Sequence, residues 1–130
     1  MASRIDSFLD VNLVFSREHQ VYILSVEKMN EFLYNRMKSA YEFYLDGIES
    51  ALESNKFIVG DFLSLADISF VCDVGYFLKE VNQRNVLKAL GFDLISEKFK
   101  DEYPQCADHL VGLSKQKEFS TVITDGFISL

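Results

Sequence analysis

The sequence predicts an all-α fold, an irregular helical bundle around a central buried helix that starts near Ser64. Three observations predict it. Apolar residues recur at three- and four-residue steps over long stretches, and no segment alternates convincingly with the period of two that a half-buried strand requires. The composition supplies a core, with 48% hydrophobic and 14% aromatic residues, while one proline and six glycines leave few helix breaks. Finally, Ser64-Leu65-Ala66-Asp67 has the form of a capping box at the head of the apolar run Ile68-Ser69-Phe70-Val71-Cys72. The first N–H groups of a helix have no partner within it, so an interior helix needs such a cap. Ser64 is placed to accept from the amide of Asp67, and the Asp67 carboxylate to reach back to the amide of Ser64. The acid also sits at the positive end of the helix dipole. Leu63 and Ile68 occupy the two positions of a hydrophobic staple. Both polar side chains are thereby engaged in folding, and Ser64 and Asp67 are read as structural, with no catalytic residue assigned.

The elements follow in order. From Arg4 to about Glu27 no glycine or proline occurs, and Ile5, Phe8, Leu9, Val11, Val14, Phe15, Tyr22, Ile23 and Val26 trace helical steps. A bend is expected near Ser16 to His19. Val21-Tyr22-Ile23-Leu24 alone would suit a strand, but its neighbours favour helix. Asn30 is a cap for a second helix carrying Leu33, Met37, Tyr41, Tyr44, Ile48 and Leu52 on one stripe. Arg36, Lys38, Glu42, Asp46, Glu49 and Glu53 fall mostly on its solvated side. Gly47 is read as a place where a neighbouring helix approaches closely. Phe57-Ile58-Val59 is a short extended link ended by Gly60. The helix after Ser64 is apolar almost all round, through Leu78. Arg84 to Leu90 predicts a short helix stopped by Gly91, and Phe92 to Lys100 a loop. Tyr103-Pro104 starts another helix, since proline suits a first turn, with Ala107, Leu110, Val111 and Ser114 on one face. Phe119 to Val122 adds a last turn before a tail. A chain of 130 residues predicts one domain, with its core over about residues 4–122 and a tail at 123–130.

Thirteen basic against twenty acidic residues give a net charge of −7, and the Lys and Arg residues are scattered. No basic face runs beside aromatics to neutralise phosphates, so neither a nucleic acid nor an anionic membrane is an expected partner. The N-terminus turns polar at Ser3, Arg4 and Asp6, unlike a signal peptide, and no apolar run is long enough to span a bilayer. Cys72 and Cys106 are read as buried, reduced thiols rather than a disulfide. These features point to a soluble, cytoplasmic protein. His19 and His109 lie far apart with no companion ligand spacing, so no metal site is expected.

Gly60-Asp61-x-x-Ser64-x-Ala66-Asp67-Ile68 resembles the G-D-x-x-T/S-x-A-D-I/L signature of the C-terminal, all-helical domain of glutathione transferases. Ser3-Arg4-Ile5-Asp6-Ser7-Phe8-Leu9 resembles the opening of that domain's first helix, particularly in theta-like and bacterial members. Tyr103-Pro104, with a helix running to about Phe119, resembles the start of its last long helix. The resemblance covers roughly Arg4 to Val122. It implies that the catalytic Tyr, Ser or Cys and the glutathione-binding loop belong to a thioredoxin-like domain, of which this sequence shows no βαβ pattern. Ser3 and Ser7 lie on the first helix and are not carried over as catalytic. Glutathione is then a cosubstrate only when that domain is supplied, and this chain alone is expected to be inactive.

By the same resemblance the helical domain provides a wall of the hydrophobic electrophile site and part of a dimer contact. Val11, Val14 and Phe15 are candidates for the wall and Phe127 for a contribution from the tail; plain core is the alternative. Arg17 matches an arginine that lies close to the active site in theta-like members. There it would fix a carboxylate or developing anion through charge-assisted hydrogen bonds; the alternative is a surface arginine paired with Glu18 or Asp10. Expected partners are a second copy, a thioredoxin-like domain or a hydrophobic small molecule. The competing function is a stand-alone interaction module of the kind attached to translation factors and tRNA synthetases.

Overall fold

In a computed structural model, which describes residues 2–120, the chain is helical almost throughout. Helices α1 (Ala2–Leu24), α2 (Glu31–Ser54), α3 (Leu65–Phe77), α4 (Arg84–Ala89), α5 (Phe99–Glu102), α6 (Pro104–Ser114) and α7 (Lys117–Ser120) follow one another, with 3₁₀ segments at Val26–Lys28 and Leu78–Gln83. Among the described residues the only β contact is a single bridge between Phe57 and Gly60. The four longest helices close a ring: α1 packs against α2 and α3, and α6 packs against the same two. Aromatic side chains fill the middle. Phe15 stacks on Tyr44 with centroids 5.1 Å apart and meets Phe77 edge-on at 5.4 Å, while Tyr41 lies 5.2 Å from Phe77.

The predicted elements appear with instructive differences. The Val21–Leu24 stretch completes α1 as helix, and α2 starts where Asn30 Oδ1 accepts from the Leu33 amide at 2.9 Å. Its stripe from Met37 to Leu52 is buried, joined by Leu45, with Leu33 half-buried. Gly47 is exposed, and a Cβ there would meet only Phe8 Cε1 at 3.9 Å, an ordinary contact, so no close approach depends on it. The Phe57–Gly60 link is a turn, closed by the Phe57 amide donating to the Gly60 carbonyl at 2.9 Å, with Gly60 at φ 97°. Glycine alone adopts that φ without steric cost. The predicted loop after Phe92 ends early, because Phe99 begins α5. On α6 the buried residues are Cys106, Ala107, Leu110 and Leu113, whereas Val111 and Ser114 are only half-buried. That helix stops at Ser114, and α7 carries the buried Phe119; Val122 and the tail, Phe127 included, lie outside the described residues.

The capping box at α3 is complete, and it is larger than the sequence implies. The Asp67 carboxylate is fully buried. It accepts from the Ser64 amide at 2.9 Å, from the Ile58 amide at 3.0 Å and from His109 Nε2 at 2.8 Å, while Ser64 Oγ accepts from the Ala66 amide at 3.3 Å. Burial pushes the carboxyl pKa up, but hydrogen bonds from His109, Ile58 and Ser64 and the nearby His109 charge outweigh it and hold the group below its ordinary value. The staple is less clear-cut: Leu63 packs on the core, but Ile68 is 39% exposed. The expectation that α3 is apolar and buried all round is corrected here. Leu65, Ile68, Cys72 and Tyr76 form an exposed flank, since only one broad side of the helix meets α1, α6 and the core.

Two further carboxylates do similar work. Glu80, only 5% exposed, accepts from the Ile95 and Ser96 amides at 3.0 and 2.9 Å, from Ser96 Oγ at 2.8 Å and from the Tyr22 hydroxyl at 2.5 Å. It pins the loop before α5 to α1. Glu49 on α2 accepts from the Gln105 and Cys106 amides at 3.0 and 2.9 Å, so it caps α6 from another helix. The adjacent Asp46 accepts from the Tyr103 hydroxyl at 2.9 Å. These two acids belong to a helix–helix contact, not to a purely solvated face.

Removing the Asp67 carboxylate leaves several buried donors unpaired, whereas removing the Ser64 hydroxyl frees one terminal amide. Asp67→Ala is therefore expected to cost about 3 kcal/mol and Ser64→Ala about 1 kcal/mol. Because the folded pKa of Asp67 is depressed, its contribution is present above the unfolded value of 3.8 and is lost as pH falls through the lower folded value. Urea unfolding of both variants across that acid range checks the ordering and the sign; equal costs would refute the larger role.

Candidate functional site

The α1–α2 contact leaves a groove on the outside of the bundle. A helix places residues three and four apart on one face, and Val11, Val14 and Glu18 do so on α1. Opposite them on α2 stand Phe32, Arg36, Ala40 and Phe43, and the groove encloses about 630 Å³. Its apolar side chains are open to solvent: Phe32 is 69%, Phe43 70% and Val14 54% exposed. Arg36 crosses from α2 to bind Glu18 at 2.6 Å, and its guanidinium sits 5.8 Å over the Phe32 ring. The groove is thus an exposed apolar trough with a charged pair at its edge.

The structure separates the predicted wall residues. Val11 and Val14 line the groove. Phe15 does not; it is fully buried against Tyr44 and Phe77 and belongs to the core, so its assignment to a substrate wall is corrected. Arg17 is exposed on the outward side of α1 and does not line the groove. It forms no ion pair among the described residues, Glu18 being engaged by Arg36. Phe32 and Phe43 were missed. They lie off the buried stripe of α2 and three turns apart, which places them on one face, and that spacing was the available signal.

The histidines part company too. His109 completes the Asp67 cap. His19 is 5% exposed in an aromatic cage, stacked on Phe15 at 6.3 Å and edge-on to Tyr76 and Phe77 at 5.1 and 4.9 Å. Burial brings its pKa down to about 4. Of the two free cysteines, Cys106 is buried but Cys72 is exposed, which corrects its predicted burial. Partial desolvation and the neighbouring Asp73 raise the Cys72 pKa, and burial and Glu49 raise that of Cys106. Neither is poised as a thiolate nucleophile.

With the geometry in place, the comparisons with known proteins define the class. The sequence model of the family described as "Glutathione S-transferase, C-terminal domain" matches residues 17–109. That span covers more than half of the chain and runs from α1 to His109 on α6. The chain belongs to this family. No curated protein and no solved structure was found to match it. Domains of this family are generally involved in dimerisation and in pairing with a thioredoxin-like domain. Among the described residues no helix is long and apolar enough to cross a membrane.

Two outcomes follow. A histidine whose folded pKa is lowered from 6.5 to about 4 favours folding when neutral, so stability is full above pH 6.5 and declines toward pH 4. Allowing for partial solvent screening, the loss by pH 5 is on the order of 1–2 kcal/mol. Urea titrations should show this loss in the wild type and not in His19→Leu; parallel pH profiles would contradict it. In the native protein a thiol reagent should modify Cys72 slowly and leave Cys106 intact until unfolding, as read by peptide mass spectrometry. Prior modification of Cys106 would contradict the burial.

Proposed function

We propose that this chain serves as the helical part of a glutathione transferase, with the α1–α2 groove as a contact between two copies. The observation that carries the reading is the exposed apolar trough of Val14, Phe32 and Phe43 beside the Arg36–Glu18 pair. A two-fold contact needs a patch complementary to itself, and an apolar centre edged by one cation and one anion meets that need: Arg36 of each copy can face Glu18 of the other. Family membership supports the same occupant, since dimerisation is a general role of this domain.

The exposed flank of α3, with Leu65, Ile68 and Tyr76, favours a second contact, to a thioredoxin-like domain. Between the two faces, α1 presents Arg17 and Leu13 outward. In this reading Arg17 borders the electrophile site, Val14 belongs to the contact between copies, and glutathione is held and activated by the other domain. A thiolate must be generated near neutral pH for conjugation, and that task falls to groups outside this helical unit. The competing module reading keeps both contacts and drops the chemistry.

Sedimentation or light scattering at tens of micromolar should report a dimer, and Phe43→Asp should weaken dimerisation by roughly 30-fold or more. Phe43 is largely exposed, so the variant should stay folded. A monomer at all concentrations, or an unaffected variant, would remove the groove from the proposal. The chain alone should not conjugate glutathione to a chloronitrobenzene above the uncatalysed rate, and turnover would overturn the division of labour.

A further inference from the structure

On the α3 side of α1, away from the groove, a second cavity of about 320 Å³ lies between the end of α1 and the 3₁₀ segment Leu78–Gln83. His19, Ile23, Val26, Tyr76, Lys79 and Glu80 contribute to its wall. His19 has no hydrogen-bond partner among the described residues, although 95% of it is buried (5% exposed). Buried imidazoles are rarely left unpaired, because the nitrogens lose water without replacement. Among the described residues no fully buried side-chain nitrogen or oxygen lacks a partner. The His19 nitrogens are therefore reachable, and the cavity that His19 lines is the route to them.

We infer that this cavity binds a small neutral aromatic alcohol of the phenol class, its hydroxyl hydrogen-bonded to the His19 imidazole. The volume suits one or two fused rings. Tyr76, Ile23 and Val26 offer apolar walls to a flat ring, and the Tyr76 ring is already edge-on to His19. Charge selects against an acid. Lys79 and Glu80 both contribute to the wall, so their formal charges sum to zero, and the Glu80 carboxylate is committed to Tyr22, Ile95 and Ser96. A neutral imidazole adds no cation, so a ligand carboxylate would have no net positive charge to meet. A hydroxyl, by contrast, suits either tautomer: it donates to the imidazole nitrogen that faces it when that nitrogen is bare and accepts from it when it carries the proton.

The test uses the full chain, 2-naphthol as probe, and two comparators: naphthalene, which lacks the hydroxyl, and the anion 2-naphthoate. Titration followed by NMR should show saturable 2-naphthol binding that shifts the His19 imidazole nitrogen signals. Each comparator should bind about tenfold more weakly or worse, and His19→Phe should lose a similar factor for 2-naphthol only. Tyr76→Ala, at a side chain 53% exposed and so safe for folding, should weaken 2-naphthol and naphthalene alike. If His19→Phe fails to fold, the imidazole signals and Tyr76→Ala decide the matter. Absence of saturable binding, binding that leaves the His19 nitrogens unmoved, naphthalene or 2-naphthoate binding as tightly as 2-naphthol, or indifference to Tyr76→Ala would overturn the assignment.

Discussion

The Asp67 carboxylate ties together three parts of the chain that also pack on one another, with Phe57 and Phe70 both against the His109 ring. It accepts from the Ile58 amide in the preceding turn, from the Ser64 amide at the start of α3 and from His109 on α6. A buried carboxylate is costly unless its lone pairs are filled and an opposite charge or dipole lies near. Here the donors and the α3 dipole fill that role, and the depressed pKa is its signature. The same bonds set where α3 and α6 stand relative to each other. Within the ring of four helices this buried acid is the polar tie between α3 and α6, while α1 is held by aromatic packing on α2 and α3.

Glu80 and Glu49 repeat the device on a smaller scale. Short helices and loops supply little cooperative stability of their own. The segment around Ile95 and Ser96 and the start of α6 accordingly receive acceptors from elsewhere in the chain. Tyr103, at the N-cap position of α6, provides no side-chain cap, and the carboxylate from α2 takes over that position. Buried polar anchors of this kind favour one arrangement of the helices over its neighbours, because a slip of a single turn would strand an anion in the core.

This division of labour leaves on α1 the faces to which the proposed contacts are assigned. Its inner face, with Phe15, His19 and Tyr22, is locked into the aromatic core. Its outer residues are free to meet other molecules on a rigid support, with the groove shared with α2 on one flank and the His19 cavity on the other. Membership of the glutathione transferase C-terminal family accords with a domain whose work lies on its surfaces.

Local pattern determined much of this. The helical steps, the cap at Asn30, the box at Ser64 and the stop at Gly91 act over a few residues, so the sequence alone announced them, and with them the all-α fold and the family. Burial was less accessible. Val14 and Phe15 are adjacent and equally apolar, and only the direction from which α2, α3 and the core approach sends one to solvent and the other inside. Cys72 and Tyr76 face solvent for the same reason, and an apolar run does not say which side lacks a neighbour. The long-range polar bonds were beyond reach altogether: nothing near Glu49, Glu80 or His109 in sequence indicates the amides or the carboxylate they meet, separated by 15 to 57 residues. Those contacts exist only once the helices have packed, since it is packing that excludes water and brings distant donors within bonding distance.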